Sequence, residues 1–166
     1  PLSAVEEYLI SEIGSLYSPG EYCIPVTVFS VTDESNPQDI TVAGDFWVFN
    51  YKEAGDTLKT TSGGAHPGKF HLKKTGEGFE VSSFDAVLDG SEYLPSAKRI
   101  FGDLFDDYSR ASADEVLREE KRREDIKEYV KENNLPVSFY QDFGWDAKPI
   151  AVSYEGDWYA PESTEP

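Results

Sequence analysis

A chain of 166 residues with 39% hydrophobic and 14% aromatic residues is the size of one domain and carries enough apolar surface for a core, which excludes wholesale disorder. Fifteen Lys and Arg against 32 Asp and Glu give a formal charge of −17, so nucleic acid and anionic membranes are poor partners. The single cysteine, Cys23, excludes an intrachain disulfide, and two histidines exclude a three-histidine metal site.

In chain order, Ser3-Ala4-Val5-Glu6 reads as a capping box, and Val5, Leu9, Ile13 and Leu16 recur at helical spacing. An amphipathic helix over residues 4–17 is predicted, stopped by Ser18-Pro19-Gly20. The period then changes to two. Strands are predicted at 22–31, 40–51, 57–61, 69–74 and 79–87, with Thr75-Gly76-Glu77-Gly78 as a hairpin connection, so antiparallel neighbours are expected. Pro25 lacks an amide to donate and places the first strand at an edge or a bulge.

The 40–51 segment is apolar on both faces. Its alternation sets Phe46 and Val48 on one side and Trp47, Phe49 and Tyr51 on the other. One side has to meet the first helix. The other is covered by the aromatic segment at 139–145, by a second copy of the chain or by a ligand.

Past Asp89-Gly90 the pattern returns to helical, with Ile100, Phe101, Leu104, Phe105 and Tyr108 sharing a face over 97–108. Ser112-Ala113-Asp114-Glu115 reads as a second capping box, opening a helix to about residue 132. The middle of that helix, 118–125, is wholly charged and reads as a solvated face docked only at its ends. A short final strand is expected within 137–152. The whole of 1–166 is read as one domain with 154–166 as a partly ordered tail.

Common chemistries fall away on inspection. Gly63-Gly64-Ala65-His66-Pro67-Gly68-Lys69 matches a phosphate loop until Phe70 replaces the magnesium-ligating hydroxyl, and a strand follows where a helix is needed. Asp85 to Gly90 starts like a calcium loop, but Val87 stands where an oxygen ligand belongs. Asp103, Asp106 and Asp107 share a helical face, which reads as solvated surface. No metal, cofactor or catalytic residue is assigned. His66 reads as a loop residue and His71 as a strand residue.

A helix followed by antiparallel strands over residues 3–87 resembles the cystatin-like architecture, which includes the nuclear-transport-factor-like superfamily and implies a curved sheet wrapped on its helix. Phe46-Trp47-Val48-Phe49-Asn50-Tyr51, Ser62-Gly63-Gly64-Ala65-His66-Pro67-Gly68 and Tyr140-Gln141-Asp142-Phe143-Gly144-Trp145 are similar to small uncharacterised secreted proteins of anaerobic gut bacteria. That resemblance implies an extracytoplasmic protein, secreted or lipid-anchored, and transfers no catalytic residue. The chain begins at Pro1 and contains no Met, for which initiator removal, trimming or loss of a leader would each account. No run approaches the length of a membrane span.

The expected fold is therefore α+β, with an N-terminal helix on a curved antiparallel sheet, two later helices and a short final strand. The expected function is a non-enzymatic binding or interaction module, monomeric or homodimeric, whose ligand contacts would come from Trp47, Phe49, Tyr51 and His71. Two alternatives stand beside it. One is a cone-type lyase or isomerase with a cavity histidine and a carboxylate in acid–base roles. The other is an acidic protein that binds cations or basic partners.

Overall fold

The computed structural model describes residues 1–18 and 20–151. The expected tail at 154–166 and Pro19 of the helix stop lie outside the described residues. The fold is α+β, with one open, curved seven-stranded sheet and helices on it, in the order α1 (Leu2–Tyr8), β1 (Tyr22–Asp33), β2 (Ile40–Ala54), β3 (Thr57–Ala65), β4 (Gly68–Thr75), β5 (Gly78–Ala86), α2 (Tyr93–Phe101), α3 (Phe105–Ala113), α4 (Glu115–Glu132), β6 (Phe139–Gln141) and β7 (Lys148–Pro149).

β2 is the spine of the sheet. One of its edges carries β1, from Tyr22 opposite Tyr51 to Asp33 opposite Thr41. The other edge is shared: residues 40–44 pair with β4 and residues 47–54 with β3. β3 and β4 thus form two halves of one antiparallel partner, interrupted at His66 and Pro67. Outside them, β5 lies on β4 and β6 on β3. Among the described residues β1 pairs with β2 alone, so Pro25 sits in an edge strand, where a missing amide is tolerated.

The expectation of a wholly antiparallel sheet is corrected by β6, which runs parallel to β3 with Leu58 opposite Tyr140. Strand β6 reaches that edge only after the excursion through α2, α3 and α4, a crossover of the length that parallel pairing requires.

Alternation along β2 separates two layers. Phe46 and Val48 join Ile40, Val42, Phe70 and Leu72 against Val5, Leu9 and Ile13 of the first helix. Phe49 and Tyr51 face the opposite way, with Leu58, Tyr140 and Ile126 of α4. Ala43, on that same side, meets Ala97, Ile100, Phe101 and Tyr108 from α2 and α3. The helix layer therefore has a seam, and Asp45 stands in β2 between its two parts.

Several helix boundaries differ from the expected ones. The first helix is α-helical only to Tyr8, continues as a π-helical turn over Leu9–Ile13, and tightens to a 3-10 turn over Gly14–Leu16. These turns rotate the chain out of 3.6-residue phase, which leaves Leu16 82% exposed instead of in the apolar stripe. Ser3 is not an N-cap, because the helix already starts at Leu2 with Pro1 before it. Ser112 is not one either: it ends inside α3, and Asp114 caps α4 by accepting from the Leu117 amide at 3.0 Å. The single helix expected at 97–108 is two, broken at Gly102, whose φ of +53° a side chain rarely tolerates.

Candidate functional site

The four residues expected to touch a ligand separate into two places. Trp47 and Phe49 stack with ring centroids 5.8 Å apart and planes at 12°, and Tyr51 follows at 6.3 Å from Phe49. Helix α4 covers this row with arginines. The Arg118 guanidinium lies 5.0 Å from the Trp47 ring and that of Arg122 3.9 Å from the Phe49 ring. His71 is elsewhere on the sheet. Its Nδ1 donates to Asp39 Oδ1 at 2.8 Å, with both side chains partly in solvent.

The 139–145 segment, expected as one cover for the Trp47 face, supplies only part of it, and α4 supplies the rest with Ile126 and with Arg118 and Arg122 from its charged middle. Arg122 is 2% and Arg123 3% exposed, which corrects the reading of 118–125 as a solvated face. Arg122 Nε donates to Tyr51 Oη at 2.9 Å, and Nη1 and Nη2 donate to Asp142 at 2.9 and 2.8 Å. Nη2 also reaches Thr60 Oγ1 at 2.9 Å, which in turn donates to Asp142 Oδ1 at 2.6 Å. This bidentate fork matches guanidinium geometry to a carboxylate. Burial works against the Arg122 charge, yet Tyr51 and Asp142 hold the guanidinium firmly protonated. Burial also pushes the Asp142 carboxyl up, and the hydrogen bonds and charge of Arg122 overcome it, bringing the pKa down to about 2. Burial lifts the Tyr51 phenol to about 12.

The 139–145 segment contributes Tyr140, fully buried, whose hydroxyl donates to Glu119 at 3.1 Å. Its Phe143 and Trp145 point outward, 97% and 69% exposed, beside a depression of about 210 Å³ along Thr60, Asp142 and Gly144.

A different region has the properties of a site. Three irregularities of the sheet coincide at Asp45 and Phe46: the β1 register shifts between Thr27 and Phe29, the β3–β4 partner breaks at His66 and Pro67, and β5 ends. Bulges and breaks of this kind bend a sheet and re-aim its side chains. There a cleft of about 350 Å³ opens, lined by Tyr17, Asp45, His66, Val87, Asp89, Tyr93, Tyr108 and Ser112, among others. Its volume is at the small end of ligand sites.

Local sequence builds each wall. Tyr17 follows the 3-10 turn and lies across β3 at Gly64, where a Cβ would stand 2.7 Å from the Tyr17 hydroxyl. It thereby reaches His66 Nε2, with which it shares a hydrogen bond of 2.5 Å. Burial lowers the imidazole below its usual pKa against the opposing charge of Asp89, so the ring is neutral at pH 7. Tyr93 and Tyr108, from α2 and α3, share a hydrogen bond of 2.8 Å. Burial raises the Tyr108 pKa, with the Tyr93 bond and the Asp45 charge adding to it.

Asp45 is the exception among these groups. It is 1% exposed, and its Oδ2 has no hydrogen-bond partner. Burial raises its pKa, while the Trp47 indole and the Arg118 charge pull the other way. Neither Oδ2 nor the indole Nε1 makes a well-aligned hydrogen bond. Arg118 is turned to other work, donating from Nη1 to the Ser112 carbonyl at 3.1 Å.

None of the cleft residues was singled out from the sequence as a ligand contact. A signal existed for Asp45, the one acid between Ile40 and Tyr51 in the most apolar stretch, and for Arg122, four residues before the buried Ile126. His66, read as a loop residue, is the residue at which the long partner strand breaks. Among the described residues no three His, Cys, Asp or Glu side chains gather as a metal site, and no helix is long and apolar enough to cross a membrane. No protein-family model, no curated protein and no solved structure matches the chain.

Proposed function

We propose that the chain is a binding module that takes a small ligand into the cleft at the break between β3 and β4. The observation that carries this reading is Asp45 in the lining of that cleft, a carboxylate 1% exposed whose Oδ2 has no well-aligned donor, the Trp47 indole being the nearest. An unsatisfied buried polar atom costs about 1–3 kcal/mol, and more when charged, so a charged one beside a cleft calls for an explanation. The cleft gathers tyrosines, a histidine and two carboxylates in one concave place, which gives a small polar molecule convergent groups to bind. The reading moves the contact surface away from Trp47, Phe49 and Tyr51, whose rings α4 already covers.

The test is a titration of the ¹⁵N-labelled protein with a set of small polar compounds. Amide shifts should cluster at Asp45, His66, Val87, Tyr93 and Tyr108. Shifts confined to the Phe143–Trp145 turn, or none at all, would overturn the proposal.

A second reading, acid–base catalysis, is favoured by one observation: a neutral imidazole and a carboxyl of raised pKa line the same cleft. Against it, His66 Nε2 is already engaged by the Tyr17 phenol and is not free to take a proton from a substrate. An elimination or isomerisation activity that disappears in His66→Ala would establish it.

Two further elements belong to the same proposal. The architecture is that of a cystatin-like cone, supported by the order of one helix and five antiparallel strands and by α1 seated on Phe46 and Val48. The setting is extracytoplasmic, supported by the sequence resemblance and tested by fractionating cells that produce the protein.

A further inference from the structure

We infer that the ligand of the cleft is an organic ammonium, with Asp45 as its counter-ion and the tyrosine rings as its walls. This rests on the binding reading above and adds the chemical class. The lining holds two carboxylates, Asp45 in the depth and Asp89 at the exposed rim, and neither Lys nor Arg. An anion would therefore meet repulsion from both ends. The cation nearest in effect to Asp45 is Arg118, and it is occupied by the Trp47 ring and the Ser112 carbonyl.

A bare metal ion fits poorly, since hard cations take six or more oxygen ligands and no cluster of three acidic or imidazole groups forms among the described residues. The phenols point to the same class. The Tyr17 hydroxyl is tied to His66 Nε2 and the Tyr93 hydroxyl to that of Tyr108, so all three are already engaged. Ring faces attract a desolvated cation by their quadrupole; Tyr17 and Tyr93 are the rings for this role, because Tyr108 is buried and stacked on Phe101 at 4.0 Å. An ammonium in the cleft would place its charge beside the Asp45 carboxylate, which lines the cleft and has no well-aligned donor on Oδ2.

The probes are phenethylammonium and its neutral counterpart phenethyl alcohol, titrated into the intact ¹⁵N-labelled chain. Phenethylammonium should bind at least tenfold more tightly, moving the amides of Asp45, His66 and Tyr108. In Asp45→Asn that advantage should fall below threefold, with the dispersion of the spectrum confirming the fold. If the variant does not fold, the selectivity of the wild-type chain decides the matter alone. Equal binding of both probes in the cleft would overturn the ammonium inference and leave the binding module standing. Absence of cleft shifts with either probe would overturn both.

Discussion

Arg118 and Arg122 stand one helical turn apart on α4, and each has an aspartate within its electrostatic reach. The outcomes are opposite. At Arg122 the guanidinium, Asp142, Thr60 and Tyr51 satisfy one another in a closed set of hydrogen bonds at 2.6–2.9 Å. At Arg118 the fork turns to the Ser112 carbonyl and the Trp47 ring, and the neighbouring Asp45 keeps an unpaired oxygen although it is 1% exposed. Asp142 keeps about a third of its side chain in solvent while Asp45 is buried, so burial alone would give Asp45 the greater need of partners. A buried charge with its full set of partners fixes how layers dock; one left open at a cleft wall is available to something that arrives. The first region is structural and the second is where a ligand is expected.

Breaking the closed region should produce the largest effect. Arg122→Ala strands Asp142 and Tyr51 and should lower stability by about 3–5 kcal/mol, read from the urea midpoint with an unchanged slope. A loss below about 1 kcal/mol would show that the network contributes nothing and that the contrast with Asp45 is illusory. Trp47→Ala comes next, at about 3 kcal/mol in a monomer, because it removes a ring stacked between Phe49 and Arg118. Near-neutral stability accompanied by a lost dimer would instead make the Trp47 row an interface.

Asp142→Asn is smaller and carries a pH signature. The folded pKa of Asp142 is depressed to about 2, so its stabilisation is present above its unfolded pKa and is lost as pH falls through the folded value. The carboxylate is about one-third exposed, so solvent screening limits the effect to roughly 1–2 kcal/mol at pH 7. The gap between wild type and variant should shrink below about pH 4 and close near pH 2. A gap that does not change with pH would mean the variant perturbs packing and not charge.

The sheet was largely legible because each strand carries its own period. The alternation of Phe46 and Val48 against Trp47, Phe49 and Tyr51, the edge position of Pro25 and the hairpin at residues 75–78 are all local signals that the structure realises. The α4 network was not legible. Composition shows a run of charges over 118–125, whereas the partner that draws Arg122 inward is Asp142, twenty residues on and brought there by β6. Helical phase offered the one clue, since Arg122 precedes Ile126 by a single turn and its long stem can cover apolar surface. The cleft was hidden for a related reason. It arises where three pairing irregularities fall at one level of the sheet, and a sequence read one strand at a time does not align Thr27, Asp45 and His66.

The smallest expected effect is also the one that separates the two regions most cleanly. Asp45→Asn removes a charge that the fold holds without a hydrogen bond to Oδ2, whereas the equivalent change at Asp142 removes one the fold depends on. The sign follows from linkage. Burial raises the folded pKa of Asp45, so the folded state binds its proton more tightly than the unfolded chain does. Its contribution is neutral at acidic pH and turns unfavourable as pH rises through the unfolded carboxyl value near 4. Asn carries no charge to desolvate and nearly the same volume. The variant should therefore match wild type at about pH 3 and equal or exceed it at pH 7, by up to about 1 kcal/mol. Urea midpoints at the two pH values measure this directly. A loss of more than about 1 kcal/mol at pH 7 would mean that Asp45 is held by its surroundings as Asp142 is, and the distinction between a closed region and an open one would fail.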